Sequence, residues 1–226
     1  MSTGMLGRLP LSAVRGPKDD LDNLLAGTDG ESVLAEFKKF VKRQPCWGPT
    51  AFERNEHGHI IVTVTGLDLT GAEEIERLEA AGYVLSDYFK SCLLSKKKDS
   101  YDKNHRLVAG QSYRLALMPG KEIKRDADRT TDALRKRGMQ MYAYGKPLGG
   151  MVPRIRESVS DKQMEEMGFW YITGLHDPIK DSGGDPRVLN SSRSGDGRWL
   201  GAVWVHPGNQ WVDVGAFAFP VPASST

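Results

Sequence analysis

The chain has 226 residues, of which 39% are hydrophobic and 27% charged, and its formal net charge is +2. This is the composition of a soluble globular protein with room for one large domain, or for an ordinary domain and an N-terminal extension, and two units are expected. No apolar run approaches the roughly 20 residues that a membrane helix needs. The basic clusters Lys38-Lys39, Lys96-Lys97-Lys98 and Arg135-Lys136-Arg137 all have acids close by, so neither a membrane span nor a nucleic-acid partner is expected.

Met1 to Pro10 has neither a sustained apolar segment nor a small-residue cleavage site, and classical secretion is not expected. Cys46 and Cys92 are the only cysteines, too few for a disulfide framework and without zinc-ligand spacing, so two buried, reduced thiols are expected. Residues 1–30, rich in Gly, Asp and Pro, predict a loosely tethered arm. Val33, Leu34, Phe37, Phe40 and Val41 then share one face of a 3.6-residue repeat, predicting a helix stopped by Pro45 and Gly48-Pro49.

The β-branched run His59 to Thr65 predicts a strand. Thr70-Gly71-Ala72-Glu73 has the form of a capping box, opening a helix that Gly82 closes. Val84, Leu85, Tyr88, Phe89, Cys92 and Leu93 suit a further helical face, and Lys96 to Asn104 a charged loop. Tyr113, Leu115 and Leu117 alternate with Arg114 and Ala116 as in a half-buried strand ending at Pro119-Gly120. Two helices follow, one over about Arg129 to Arg137 ending at Gly138, the other after Ser160, whose Gln163 completes a capping box, ending at Gly168.

Beyond Gly168 the sequence reads as strands between strong turns: Phe169 to Leu175, Val188 to Arg193, Arg198 to Val205 and Ala216 to Val221. With helices first and strands last, the pattern predicts an α+β domain with an antiparallel sheet. Four of the five tryptophans lie here, at 170, 199, 204 and 211. Alternation puts Leu200, Ala202 and Trp204 on one face of a strand, read as the core, and Gly201, Val203 and Val205 on the other, read as a contact surface. Asn190, Ser192 and Ser194 share one side of the preceding strand.

The string from Gly195 through Arg198-Trp199-Leu200-Gly201-Ala202-Val203-Trp204-Val205-His206-Pro207-Gly208-Asn209-Gln210-Trp211 to Phe217-Ala218-Phe219 resembles the variable region of diversity-generating retroelement variable proteins. The resemblance implies a C-type-lectin-like fold over residues 104–226, with two helices and antiparallel strands. Residues 1–103 would form a smaller N-terminal arm with a helical and strand region. In that family a reverse transcriptase mutates adenines in a copied template, so surface positions vary while the scaffold persists.

Carried onto this chain, the resemblance makes Arg198, Trp199, Leu200, Trp211, Phe217 and Phe219 scaffold. Ser192, Ser194, Gly201, Val203, Val205, His206, Val212 and Val214 become variable positions, and Trp204 and Asn209 complete the expected ligand-binding set. It implies a non-enzymatic, receptor-type protein with a protein ligand and no cofactor, cytoplasmic or virion-associated. The alternative is a phage or bacterial assembly protein whose tryptophan-rich interface is fixed. Trp211-Val212-Asp213 lacks the partner string of calcium-binding lectins, and no cysteine follows Cys92 as in the formylglycine-generating enzymes, so neither activity is expected.

Two other constellations lack the pattern their chemistry needs. His57, His59 and His105 have no supporting metal spacing. His176-Asp177 with Ser191 or Ser192 has no nucleophile elbow, and adjacent His and Asp do not orient one another as a triad requires. Neither a metal site nor a catalytic site is expected.

Overall fold

A computed structural model describes residues 5–6, 9–27, 30–43, 52–195 and 197–222, with side chains from residue 18 onward. Cys46, Trp47 and the expected stop at Pro45 lie outside the described residues. The chain divides into two compact units, Met1–Pro49 and Thr50–Thr226. The boundary expected at 103/104 falls inside the second unit, because a strand at Ile60–Thr65 belongs to the same sheet as the C-terminal strands.

In the first unit, β1 (Met5–Leu6) pairs antiparallel with β2 (Leu9–Pro10), and α1 (Leu11–Ala26) packs on α2 (Gly30–Val41). The helix predicted around Val33 to Val41 is therefore present, and the arm expected over residues 1–30 is instead largely helical. Leu21, Leu24 and Leu25 recur at helical spacing, and α2 supplies the neighbour that a lone short helix lacks.

The second unit is built on an eight-stranded sheet. Its strands are β3 (Ile60–Thr65), β4 (Val84–Leu85), β5 (Ser112–Pro119), β6 (Tyr171–Gly174), β7 (Ile179–Lys180), β8 (Pro186–Ser192), β9 (Trp199–Trp204) and β10 (Gly215–Pro220). They lie in the order β3-β5-β10-β6-β8-β9-β4, with β7 on β8. The mixed α+β class is as expected, but the sheet is not wholly antiparallel: β10 runs parallel to β6, and β4 to β9. Nor are helices and strands segregated along the chain, since β3, β4 and β5 come from its first half.

Among the described residues, six helices accompany this sheet: α3 (Gly71–Ala80), α4 (Asp87–Leu93), α5 (Tyr101–Asn104), α6 (Thr131–Lys136), α7 (Met151–Ser158) and α8 (Asp161–Glu166). Both predicted capping boxes form, Thr70 with Glu73 and Ser160 with Gln163. Val84 to Leu93 is not one helix, because Ser86 caps α4 after the short β4. The loop expected over Lys96 to Asn104 contains α5. Gly138 does not end α6, which runs on into a π turn at Arg137–Met141. A Cβ at Gly138 would lie 2.5 Å from the Phe219 ring, so this glycine serves close packing, not helix termination.

Alternation sorts the core onto the two faces of the sheet. Ile60, Leu115, Leu117, Ile172, Ala216 and Ala218 meet Met151 and Ile155 of α7 on one face. Farther along, Leu189 and Leu200 join Phe89, Cys92 and Leu93 of α4. Cys92 is free and buried, its thiol pushed up to about 12 by burial. The other face carries Ala116, Met118, Tyr171, Phe217 and Phe219, covered by Leu134 of α6 and by Tyr144.

Two histidines are buried edge to face, with ring centroids 4.7 Å apart. His176 Nε2 accepts the Leu189 N–H at 2.9 Å, so its Nδ1–H donates to the Asp177 carbonyl at 2.6 Å and the ring is neutral. Burial lowers His176 well below the ordinary value, helped by the nearby His105 and Arg135. Burial also lowers His105, to about 4, against the opposing pull of Asp177 and Asp99. A depressed base binds its proton first in the unfolded chain, so its contribution is intact above pH 6.5 and lost as pH falls from there toward 4. Unfolding free energies from urea titration are predicted to fall between pH 7 and 4.5, by on the order of 3 kcal/mol for His105 over the full window. A flat profile between those values would contradict the neutral pair.

Candidate functional site

The β8–β9 ladder pairs Arg187 with Trp204, Val188 with Val203, Leu189 with Ala202, Asn190 with Gly201, Ser191 with Leu200 and Ser192 with Trp199. Cross-strand partners share a face, which makes the two sides of β9 distinct. On one, Leu200 is fully buried against α4 and Ala202 is half-buried beside it. On the other, Val188 is buried, while Asn190, Ser192, Trp199, Gly201 and Val203 are all half-buried.

Trp204 corrects the face reading. It shares the side of Leu200 but is 46% exposed, because the core side chains end one residue pair earlier. Its partner Arg187 is drawn aside by Asp181, Nε to Oδ2 at 2.6 Å, and lies over the Tyr88 ring at 3.8 Å. The Trp204 ring instead meets the exposed His206, centroids 5.1 Å apart.

The chain then turns. Val205, half-buried, donates its N–H to the Pro186 carbonyl at 2.8 Å. The exposed Asn209 donates its N–H to the His206 carbonyl at 2.9 Å and its Nδ2 to the Trp204 carbonyl at 3.2 Å. Trp211 pins the middle of the connection: its N–H reaches the Arg129 carbonyl, its indole N–H reaches Thr131 Oγ1 at 3.0 Å, and its ring packs on Tyr171 and Phe217. Val212 and Val214 are 59% and 49% exposed, yet their carbonyls are held by the Tyr171 hydroxyl and the Trp170 N–H, both at 2.8 Å.

The structure thus brings Ser192, Gly201 and Val203 onto one face. Ser194, half-buried, follows the same end of β8, and its carbonyl accepts the Gly197 N–H at 3.3 Å. Val212 and Val214 also lie toward that end, beside Tyr171 and Trp170. Trp204, His206 and Asn209 lie at the other end of β9, roughly 17 Å away along the strand, with Trp204 on the opposite face. Val203 and Val205 flank Trp204 in the chain, so the ten expected residues are spread along β8, β9 and the pinned connection and do not gather in one cluster.

Sequence reading missed a polar cluster at the start of β3. His59 Nε2 is 2.8 Å from Glu122 Oε2, and its Nδ1 is 2.7 Å from the Tyr144 hydroxyl. Glu122 also takes the Tyr142 hydroxyl and the Arg137 guanidinium, with Arg137 Nε at 2.7 Å. Burial pushes the Glu122 carboxyl up, but the hydrogen bonds from His59, Tyr142 and Arg137 outweigh it and hold the group at about 2. Tyr144, raised to about 12 by burial, stays protonated and is no nucleophile at neutral pH. With each of these groups partnered, the cluster ties β3 to the π turn. His57 lies beside Tyr142 at 4.6 Å, whereas His105 packs on His176. Among the described residues no three His, Cys, Asp or Glu side chains gather as a metal site. Only the alternation of His57 and His59 hinted at the cluster.

Comparison with known proteins finds no matching family model, no matching curated protein and no matching solved structure.

Gly201 and Gly215 separate replaceable positions from fixed ones. A Cβ at Gly201 would meet the Asn190 Oδ1 at 2.8 Å, the tip of a half-exposed, flexible side chain. A Cβ at Gly215 would lie 2.0 Å from the ring of the buried Tyr171. Gly201→Ala is predicted to cost less than about 1 kcal/mol in chemical denaturation, and Gly215→Ala about 3 kcal/mol or more. Equal costs would remove the distinction.

Proposed function

We propose that this chain is a non-enzymatic ligand-binding protein with a C-type-lectin-like C-terminal fold, of the kind diversified by a retroelement reverse transcriptase. Its recognition surface is β8, β9 and the connection over residues 205–214. One observation carries this reading: the only fully buried positions among those the resemblance names are scaffold, and no position it makes variable is buried, although Arg198, Trp199 and Trp211 are half-buried like several variable ones. Leu200, Phe217 and Phe219 are fully buried, and Trp211 is anchored by its indole N–H. Ser192, Ser194, Gly201, Val203 and Val205 are half-buried, and His206, Val212 and Val214 are exposed.

That division suits a surface whose identity changes while its backbone does not. Substitutions at half-exposed positions shift stability by little, whereas core changes cost several kcal/mol. The backbone of the connection is held through the carbonyls of Trp204, Val212 and Val214, which place no demand on the side chains at those positions. The side chains now present, Val203, Trp204, Val205, Val212 and Val214, suit a partly apolar protein surface as ligand, with the tryptophan as its anchor.

The neighbouring DNA tests the reading. It is expected to hold a reverse transcriptase gene and a near-identical repeat differing from this gene at adenines; differences spread evenly over all four bases would sink it. The triple variant Gly201→Ser, Val203→Thr, Val205→Asn is expected to fold with a loss below about 2 kcal/mol. A fixed assembly interface, the second reading, predicts that the same variant abolishes assembly.

A further inference from the structure

A pocket of about 390 Å³ is lined by Lys97, Lys98, Asp99, His105, Asp177 and Lys180 among others. Its polar groups are incompletely satisfied. His105 is only 2% exposed, and its Nδ1 accepts the Gly149 N–H at 3.2 Å. The neutral ring must therefore carry its proton on Nε2, and that N–H is buried without a partner. Asp99 Oδ1 is likewise buried without a partner, although Asp99 Oδ2 lies 4.0 Å from Lys180 Nζ.

Orphaned buried groups are costly, commonly by about 1–3 kcal/mol each, and call for an explanation. Here the two are complementary, an N–H donor and a carboxylate acceptor carried by two residues of the pocket lining. An atom that accepts from one and donates to the other satisfies both, and a hydroxyl does this.

The rim supplies charge. Lys98 Nζ has no ion-pair partner among the described residues, and Lys97 Nζ reaches only the Ser182 carbonyl at 3.4 Å. Asp177 is already paired with Lys146. Ammonium groups thus outnumber free carboxylates at the opening, which favours an anion. A cavity of this size is within the range of small-molecule sites.

We propose that this pocket binds a small hydroxylated anion, such as a phosphorylated polyol, with its hydroxyl between His105 Nε2 and Asp99 Oδ1 and its charged end at Lys98 and Lys180. The neutrality of His105, whose burial keeps it unprotonated down to about 4, fits a donor and acceptor of fixed sense. The site is independent of the recognition surface on β9.

Calorimetric titration of the full chain at pH 7.5 and low salt tests this with three probes: glycerol 3-phosphate, inorganic phosphate and glycerol. Glycerol 3-phosphate is expected to bind at least about tenfold more tightly than phosphate, and glycerol not measurably. Lys98→Ala with Lys180→Ala should weaken glycerol 3-phosphate binding at least about tenfold. Asp99→Ala removes a negative charge, so it should bind phosphate no more weakly while losing the preference for glycerol 3-phosphate. His105→Phe should lose the same preference, and because that variant also strips the Gly149 N–H of its acceptor, the exposed lysine and Asp99 variants decide the matter if it does not fold. No binding of glycerol 3-phosphate, equal binding of phosphate, or a preference that survives Asp99→Ala would overturn the proposal.

Discussion

Gly215 lies flat against the ring of Tyr171, in the space a side chain would occupy, and the placement of β10 depends on that contact. β10 enters the sheet there, parallel to β6 and antiparallel to β5, so the last strand of the chain is interior to the sheet, not at its edge. Both its faces are buried, Ala216 and Ala218 toward α7 and Phe217 and Phe219 toward α6. The connection leading into it is fixed in turn, by the Tyr171 hydroxyl on the Val212 carbonyl and the Trp170 N–H on the Val214 carbonyl. A ring packed on a glycine therefore sets the backbone of a surface some residues upstream. Because β10 and β5 lie far apart in sequence, this central pairing is non-local and intrinsically slow to form.

A different interaction holds the helices. Glu74 and Arg154, 1% and 3% exposed, pair across α3 and α7, and Glu157 and Arg77 extend the network. Burial pushes the Glu74 carboxyl up, and Arg154 opposes it. Such a pair returns little net stability over apolar residues of the same volume, but losing one partner strands the other in the core. Its effect is to fix how α3 lies against α7, and through α4 where Leu200 finds its pocket. β9 is positioned from below by this apolar and ionic packing, and from beside by its ladder with β8.

Local signals in the sequence were the reliable ones. Thr70 and Ser160 marked helix starts because a capping box lies within four residues, and the alternation of Tyr113, Leu115 and Leu117 marked β5 for the same reason. What failed were decisions made at a distance. Gly138 looks like a helix stop until Phe219, far along the chain, is seen to need its space. Trp204 looks like core because parity says so, and only the position of Arg187, held by Asp181 and Tyr88, shows that the core has already ended. The pocket at His105 draws on residues 97–105 and 177–180, whose proximity no spacing announces. The His59 cluster likewise joins residues 59, 122, 137, 142 and 144, of which only His59 stands out in the sequence.

The β9 face and the His105 pocket illustrate opposite ways of holding chemistry. On β9 and its connection much of the geometry is carried by main-chain bonds, from Val205 to Pro186 and from Asn209 to His206, with the Asn209 side chain adding a bond to the Trp204 carbonyl. At His105 the reverse holds. The Gly149 N–H fixes the tautomer, the ring packs on His176, and His176 in turn accepts the Leu189 N–H of β8. Losing the His176 ring would strand the Leu189 N–H of β8, so that region tolerates little change, whereas a Cβ at Gly201 first meets the flexible tip of Asn190, so that position tolerates it.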